Sequence, residues 1–105
     1  MKVAAGEVHL SEVELAEVCR ILRRYVPEAK VWAFGSRVRG GSRPYSDLDL
    51  AIEGRQPLSL EKMADLTAAF DEADLAFKVD LVDWATVAPS FRRIIEEQRV
   101  LLQGE

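Results

Sequence analysis

Cysteine is almost absent from this sequence, since Cys19 is the only one among 105 residues. An intramolecular disulfide is therefore impossible, which excludes the disulfide-rich secreted class and favours a reducing compartment. An excess of basic residues is also missing, because 14 Lys and Arg stand against 18 Asp and Glu. Proteins that bind nucleic acid over a broad surface are normally basic, so we expect no direct nucleic-acid binding.

Long hydrophobic runs are missing as well. The opening residues MKVAAGEVHL soon reach an acidic position and match neither a signal peptide nor a membrane span. We therefore expect a cytoplasmic protein without membrane contact. Hydrophobic residues make up 49% of the chain and charged residues 30%, which is typical of a globular protein. The length fits a single domain, residues 1–105.

Hydrophobic periodicity divides the chain into interspersed helices and strands. A capping box at Ser11–Glu14 precedes a helical apolar pattern that ends before Pro27, and Ser59 can cap a second long helix. Strands are predicted at 31–34, 47–53, 77–82 and 100–102. A short helix is predicted around 91–95, with its apolar stripe in the core. The fold class is therefore α/β or α+β, a small mixed β-sheet with helices packed on one face.

Two aspartates share one face of the second predicted strand. Because side chains alternate along a strand, Asp47 and Asp49 project from the same side, roughly 6–7 Å apart at the backbone. Their neighbours project into the core: Leu48, Leu50 and Ile52. Carboxylates at this separation can converge on one divalent cation or bracket two, and hard oxygen ligands suit Mg²⁺.

The third predicted strand offers two further aspartates of opposite parity. Its core set is Phe77, Val79 and Leu81, so Asp80 belongs on the face of the first two acids, whereas Asp83 does not. Parity therefore selects Asp80 as the third carboxylate. Asp83 is predicted to cap a turn instead.

A Gly-Ser pair follows the first predicted strand directly. Gly35 permits a tight turn, and a short helix that begins near Ser36 would aim free N–H groups at an anion. The surrounding loop is rich in arginine, at Arg37, Arg39 and Arg43. The residues alone leave open whether these arginines contact a ligand or are solvated.

Three motifs together resemble a known signature. Gly35–Gly40 (GSRVRG), Ser46–Leu50 (SDLDL) and Val79–Val82 (VDLV) are similar to the GSxxRG, SDxDL and xD motifs of polymerase-beta-like nucleotidyltransferases. The resemblance is strongest to the minimal nucleotidyltransferases, which are about as long as this chain, and it spans roughly residues 31–84.

This resemblance implies a polymerase-beta-like palm, Mg²⁺ as cofactor and ATP as substrate. It implies that Gly35 and Ser36 bind the triphosphate, with Arg39 touching phosphate or bracing the loop. The implied metal ligands are Asp47, Asp49 and Asp80, of which Asp80 also helps to activate the acceptor hydroxyl. The implied partner is a helical HEPN protein encoded nearby, in a hetero-oligomer where the enzyme acts as antitoxin by attaching AMP to a tyrosine of the HEPN toxin.

Three other interpretations remain open at this level. The chain could be a non-catalytic subunit that neutralises or regulates a HEPN partner by complex formation. It could be a nucleotidyltransferase whose small-molecule acceptor is presented by a separate subunit. An Asp-x-Asp pair also occurs in nucleotide-sugar glycosyltransferases, although the short chain and the upstream Gly-Ser argue against that class.

Overall fold

The computed structural model describes residues 8–104 of the chain. Its elements follow in this order: α1 (Glu12–Tyr25), β1 (Lys30–Phe34), α2 (Ser36–Arg39), β2 (Leu48–Glu53), α3 (Leu60–Glu72), β3 (Val79–Asp83), a 3-10 turn (Trp84–Thr86), α4 (Pro89–Gln98) and β4 (Val100–Gln103). No helix within this range is both long and apolar enough to cross a bilayer. Most of the opening segment, for which the sequence predicts neither a leader nor a span, lies outside the described residues.

The sheet brings three chain segments to one edge. Its strand order is β3-β2-β1-β4, with β2 and β3 parallel and β1 antiparallel to both of its neighbours. The carboxyl end of β1 therefore lies beside the amino ends of β2 and β3. In register, Asp49 pairs with Phe34 on one side and with Asp80 on the other.

The two long helices, α1 and α3, cover one face of this sheet. Ser11 and Glu14 form the predicted capping box at the start of α1, and the Ser59 side chain accepts from the Lys62 N–H at the start of α3. The inward side chains of β2 are fully buried in the resulting core: Leu48, Leu50 and Ile52. The predicted mixed sheet and the direction of these three residues are confirmed.

The opposite face is partly covered by α4, which departs from the prediction that all helices pack on one side. Ile95 of α4 is buried against Phe34 and Ala51 on this second face. The apolar stripe predicted for the core is thus divided, because Phe91 remains 39% exposed and Ile94 59% exposed. The helix is also longer than the predicted 91–95, since it begins at Pro89 and continues to Gln98.

Candidate active site

The Gly-Ser turn and the acidic motifs meet at the sheet edge described above. Gly35 follows β1 directly, while Asp49 and Asp80 are the second residues of β2 and β3. Asp47 lies just before β2, exposed to solvent, so the prediction that placed it within the strand was wrong by one residue. The strand begins at Leu48, whose N–H donates to the Lys78 carbonyl at 2.9 Å.

Asp49 is electrostatically coupled to the other two acids. Its side chain is half-buried, and this burial raises its pKa above the ordinary aspartate range. The negative charges of Asp80 and Asp47 raise the pKa further, and the positive charge of Arg39 opposes them. The carboxylates of Asp80 and Asp47 therefore repel that of Asp49, and a bound cation would relieve this repulsion.

The chemistry of these donors fits Mg²⁺, although they do not form a closed cage. Within residues 8–104, no three Asp, Glu, His or Cys side chains are grouped closely enough to hold an ion as they stand. Asp80 also forms a loose ion pair, with its Oδ1 3.6 Å from Lys78 Nζ. Mg²⁺ is usually bound by one or two carboxylates together with water and substrate phosphates, which requires no all-protein cage. The ligand roles of Asp47, Asp49 and Asp80 stay predictions.

Gly35 brings the backbone of the turn against one of these carboxylates. Its φ is 83°, a conformation that favours glycine, and a Cβ atom here would lie only 2.2 Å from Asp49 Oδ2. Immediately after it, α2 begins at Ser36, as the sequence predicted. A side chain at position 35 would fill the space beside the Asp49 carboxylate, so this contact requires glycine.

A cavity of about 420 Å³ opens beside the acids. One part of its wall is polar and contains four predicted site residues: Gly35, Arg39, Asp49 and Asp80. The other part is mainly apolar and comes from β1, β3 and α4: Phe34, Val82, Phe91, Ile94 and Gln98. Ser36 and Asp47 are not among the lining residues. The sequence interpretation missed the contribution of α4, whose signal was an apolar stripe that suggested core packing.

Arg37 has a structural position that neither sequence alternative anticipated. It is only 3% exposed, and its guanidinium lies 4.1 Å from the centre of the Phe77 ring. Its Nε donates to the Ser46 carbonyl at 2.8 Å, and Nη2 donates to the Pro44 carbonyl at 2.9 Å. Arg37 is thus neither a ligand contact nor a solvated side chain. Arg39 and Arg43 are exposed, which is compatible with both alternatives.

Asp83 is excluded from the acidic site, as its parity predicted. It is buried, and its Oδ2 accepts from the Leu58 N–H at 2.8 Å while its Oδ1 accepts from the Ala85 N–H at 3.0 Å. The carboxylate caps the 3-10 turn after β3, which confirms the predicted capping role.

The chain belongs to the polymerase beta nucleotidyltransferase family. The family model described as polymerase beta, nucleotidyltransferase, matches residues 17–105. Among individual proteins, the chain is 47% identical over 98 residues to the probable protein adenylyltransferase MntA of Haemophilus influenzae, covering 93% of this chain and 86% of that protein. A relative from Methanocaldococcus jannaschii is 30% identical, covering 84% of this chain and 97% of its own length.

Solved structures show the same fold. A crystal structure of the MntA–HpeT toxin–antitoxin pair, in a mutant form, superposes with a TM-score of 0.74 at 26% identity, covering 91% of this chain and 74% of that chain. A toxin–antitoxin structure with AMP-PNP gives 0.68 at 25% identity, covering 87% and 73%. The α+β fold and the family resemblance that the motifs indicated are confirmed.

Proposed function

We propose that residues 1–105 form a single nucleotidyltransferase domain that transfers AMP from ATP to a tyrosine hydroxyl of a HEPN-type partner in the cytoplasm, with Mg²⁺ as cofactor. The protein would thereby act as the antitoxin of a toxin–antitoxin pair. The observation that carries the proposal is the convergence of Gly35, Asp49 and Asp80 at one sheet edge. It is supported by the similarity to a probable protein adenylyltransferase and to a toxin–antitoxin structure with AMP-PNP.

The roles that we propose for the residues are those that the family motifs imply. The Gly35–Ser36 turn and Arg39 would bind the triphosphate, and Asp47, Asp49 and Asp80 would hold Mg²⁺. When bound, the cation neutralises phosphate charge and orients the reacting groups. Asp80 helps to take the proton from the acceptor hydroxyl, whose oxygen bonds to the α-phosphorus as the bond to the β-phosphate oxygen breaks. Pyrophosphate leaves, and AMP stays on the acceptor.

The cavity supports an aromatic acceptor over a small hydrophilic one. Phe91 and Ile94 form an apolar wall in the same cavity that contains Asp80. A tyrosine carries both a ring that can pack on such a wall and a hydroxyl that can reach the acids. A highly charged or polyhydroxylated small molecule would leave this wall unpaired, so a protein side chain is the better match.

The test is to incubate the protein with labelled ATP, Mg²⁺ and the HEPN protein encoded beside it, and to measure label on that partner. We expect label on the partner with the parent protein, and Asp47→Asn or Asp49→Asn should abolish it. Asp65→Asn, on the exposed face of α3, is the matched control and should label normally. If the two site variants label as well as the parent, the mechanism is wrong. If they neutralise the toxin and no adduct forms even with the parent, the chain is a non-catalytic binding subunit.

A further inference from the structure

We infer that Arg37 is a positioning residue that ties the Gly35–Ser36 turn to the loop carrying Asp47, so that triphosphate binding and metal binding are coupled. The inference rests on the proposed function of this site. Arg37 is the second residue of α2, directly after the pair that would bind the triphosphate. Its side chain reaches back across the loop that ends at Asp47.

Every nitrogen of this guanidinium donates to a backbone carbonyl. Nε donates to Ser46, Nη1 donates to His9, and Nη2 is shared between Pro44 at 2.9 Å and Arg43 at 3.3 Å. Three of these four carbonyls belong to the four residues that precede Asp47. A planar fork of donors can hold several acceptors in one fixed arrangement, which a lysine ammonium cannot reproduce. The loop conformation therefore depends on Arg37.

The segment before α1 is bonded to both the backbone and the side chain of Arg37, which is itself buried. The Arg37 carbonyl accepts from the His9 N–H at 2.7 Å, and the Arg37 side chain donates to the His9 carbonyl. No carboxylate forms a direct ion pair with the guanidinium among the described residues. Burial lowers the pKa of Arg37, while the charges of Glu14 and Asp47 act to raise it. Asp47 thus lies within the electrostatic reach of the residue that holds its loop.

Direct metal binding provides the test because it does not depend on transfer to a partner. Mn²⁺ binding in the presence of AMP-PNP would be followed by electron paramagnetic resonance for the parent, Arg37→Lys and Arg37→Met. Substitution of residues that orient metal ligands typically weakens metal binding by about 10–100-fold, and we expect losses in this range for both variants. Arg23→Lys and Arg23→Met, on the exposed surface of α1, should bind Mn²⁺ like the parent.

Amide hydrogen exchange on the same samples localises the effect. In Arg37→Lys, which retains the charge and is the milder change, exchange should accelerate at the amides of residues 43 and 45–47 and stay unchanged across α3. If Arg37→Met does not fold, the test is made with Arg37→Lys alone. Parent-like Mn²⁺ affinity in folded Arg37→Lys would overturn the inference while leaving the proposed function intact. Failure of the parent itself to bind Mn²⁺ with AMP-PNP would overturn the proposed function.

Discussion

Replacing Gly35 with alanine tests whether the turn and the acidic pair form one site. The new Cβ would lie 2.2 Å from Asp49 Oδ2, so the carboxylate must retreat by about 1.2 Å to reach an ordinary contact distance of 3.4 Å. Misplacing a reacting group by about 1 Å can cost on the order of 100-fold in rate. We therefore expect a loss of about 100-fold in AMP transfer, measured as the initial rate of label incorporation into the partner.

The same substitution also affects stability, and this effect must be separated from the loss of activity. Gly35 has φ 83° and ψ −157°, a region essentially reserved for glycine, where another residue costs about 1–3 kcal/mol. Alanine also reduces the conformational entropy of the unfolded chain, which stabilises the folded state by about 0.4–1 kcal/mol and partly offsets this cost. A net loss of about 1–2 kcal/mol in the free energy of unfolding is expected from urea denaturation.

Gly41→Ala is the matched control for the backbone strain. Gly41 also has a positive φ, 79°, but a Cβ there would meet nothing within 4 Å. It should also lose stability, because a positive φ is strained for alanine, while transfer stays within a few-fold of the parent. If folded Gly35→Ala transfers AMP as fast as Gly41→Ala, the contact with Asp49 does not matter for catalysis and the reasoning is wrong.

Three further predictions concern residues around the same edge. Asp83→Ala removes the acceptor of two backbone N–H groups and should lower the free energy of unfolding by about 1–3 kcal/mol in urea, while the folded fraction transfers AMP normally. Burial and neighbouring acids raise the pKa of Asp49 in the folded protein. The folded state is therefore favoured while Asp49 is protonated, and this contribution to the free energy of unfolding is lost as pH rises through that pKa. Asp49→Asn should therefore raise the free energy of unfolding at neutral pH without Mg²⁺. At a pH below the ordinary pKa of aspartate, urea denaturation should show no such gain over the parent. Phe91→Ala should raise the KM for the partner in steady-state transfer. A lower kcat with an unchanged KM would contradict its role in the cavity wall.

Local patterns predicted much of the candidate site. The two-residue period of a strand is a property of the backbone, so it assigned Leu48 and Leu50 to the core and Asp49 to the other face without tertiary information. The same period separated Asp80 from Asp83. Capping is also local, which is why Ser11 and Ser59 marked helix starts that the structure confirms.

The cavity wall could not be derived in this way. An apolar stripe at helical spacing shows that one side of α4 is buried, but it does not say which sheet face the helix contacts. Only the packed structure shows that Ile95 is covered while Phe91 and Ile94 stay partly exposed beside the acids.

Local patterns therefore predicted most of the elements and the parity of the aspartates, because each depends on neighbours within a few residues, and three short motifs indicated the family. Which residues meet depends on packing between segments that are distant in the chain. The parallel pairing of β2 with β3 sets Asp49 opposite Asp80, 31 positions further along the chain. Arg37 is the clearest case, since its partners His9 and Ser46 come from segments on either side of it. No local pattern encodes these pairings. The buried N–H groups of Arg37 need hydrogen-bond acceptors, and only the folded chain brings the carbonyls of these segments to them.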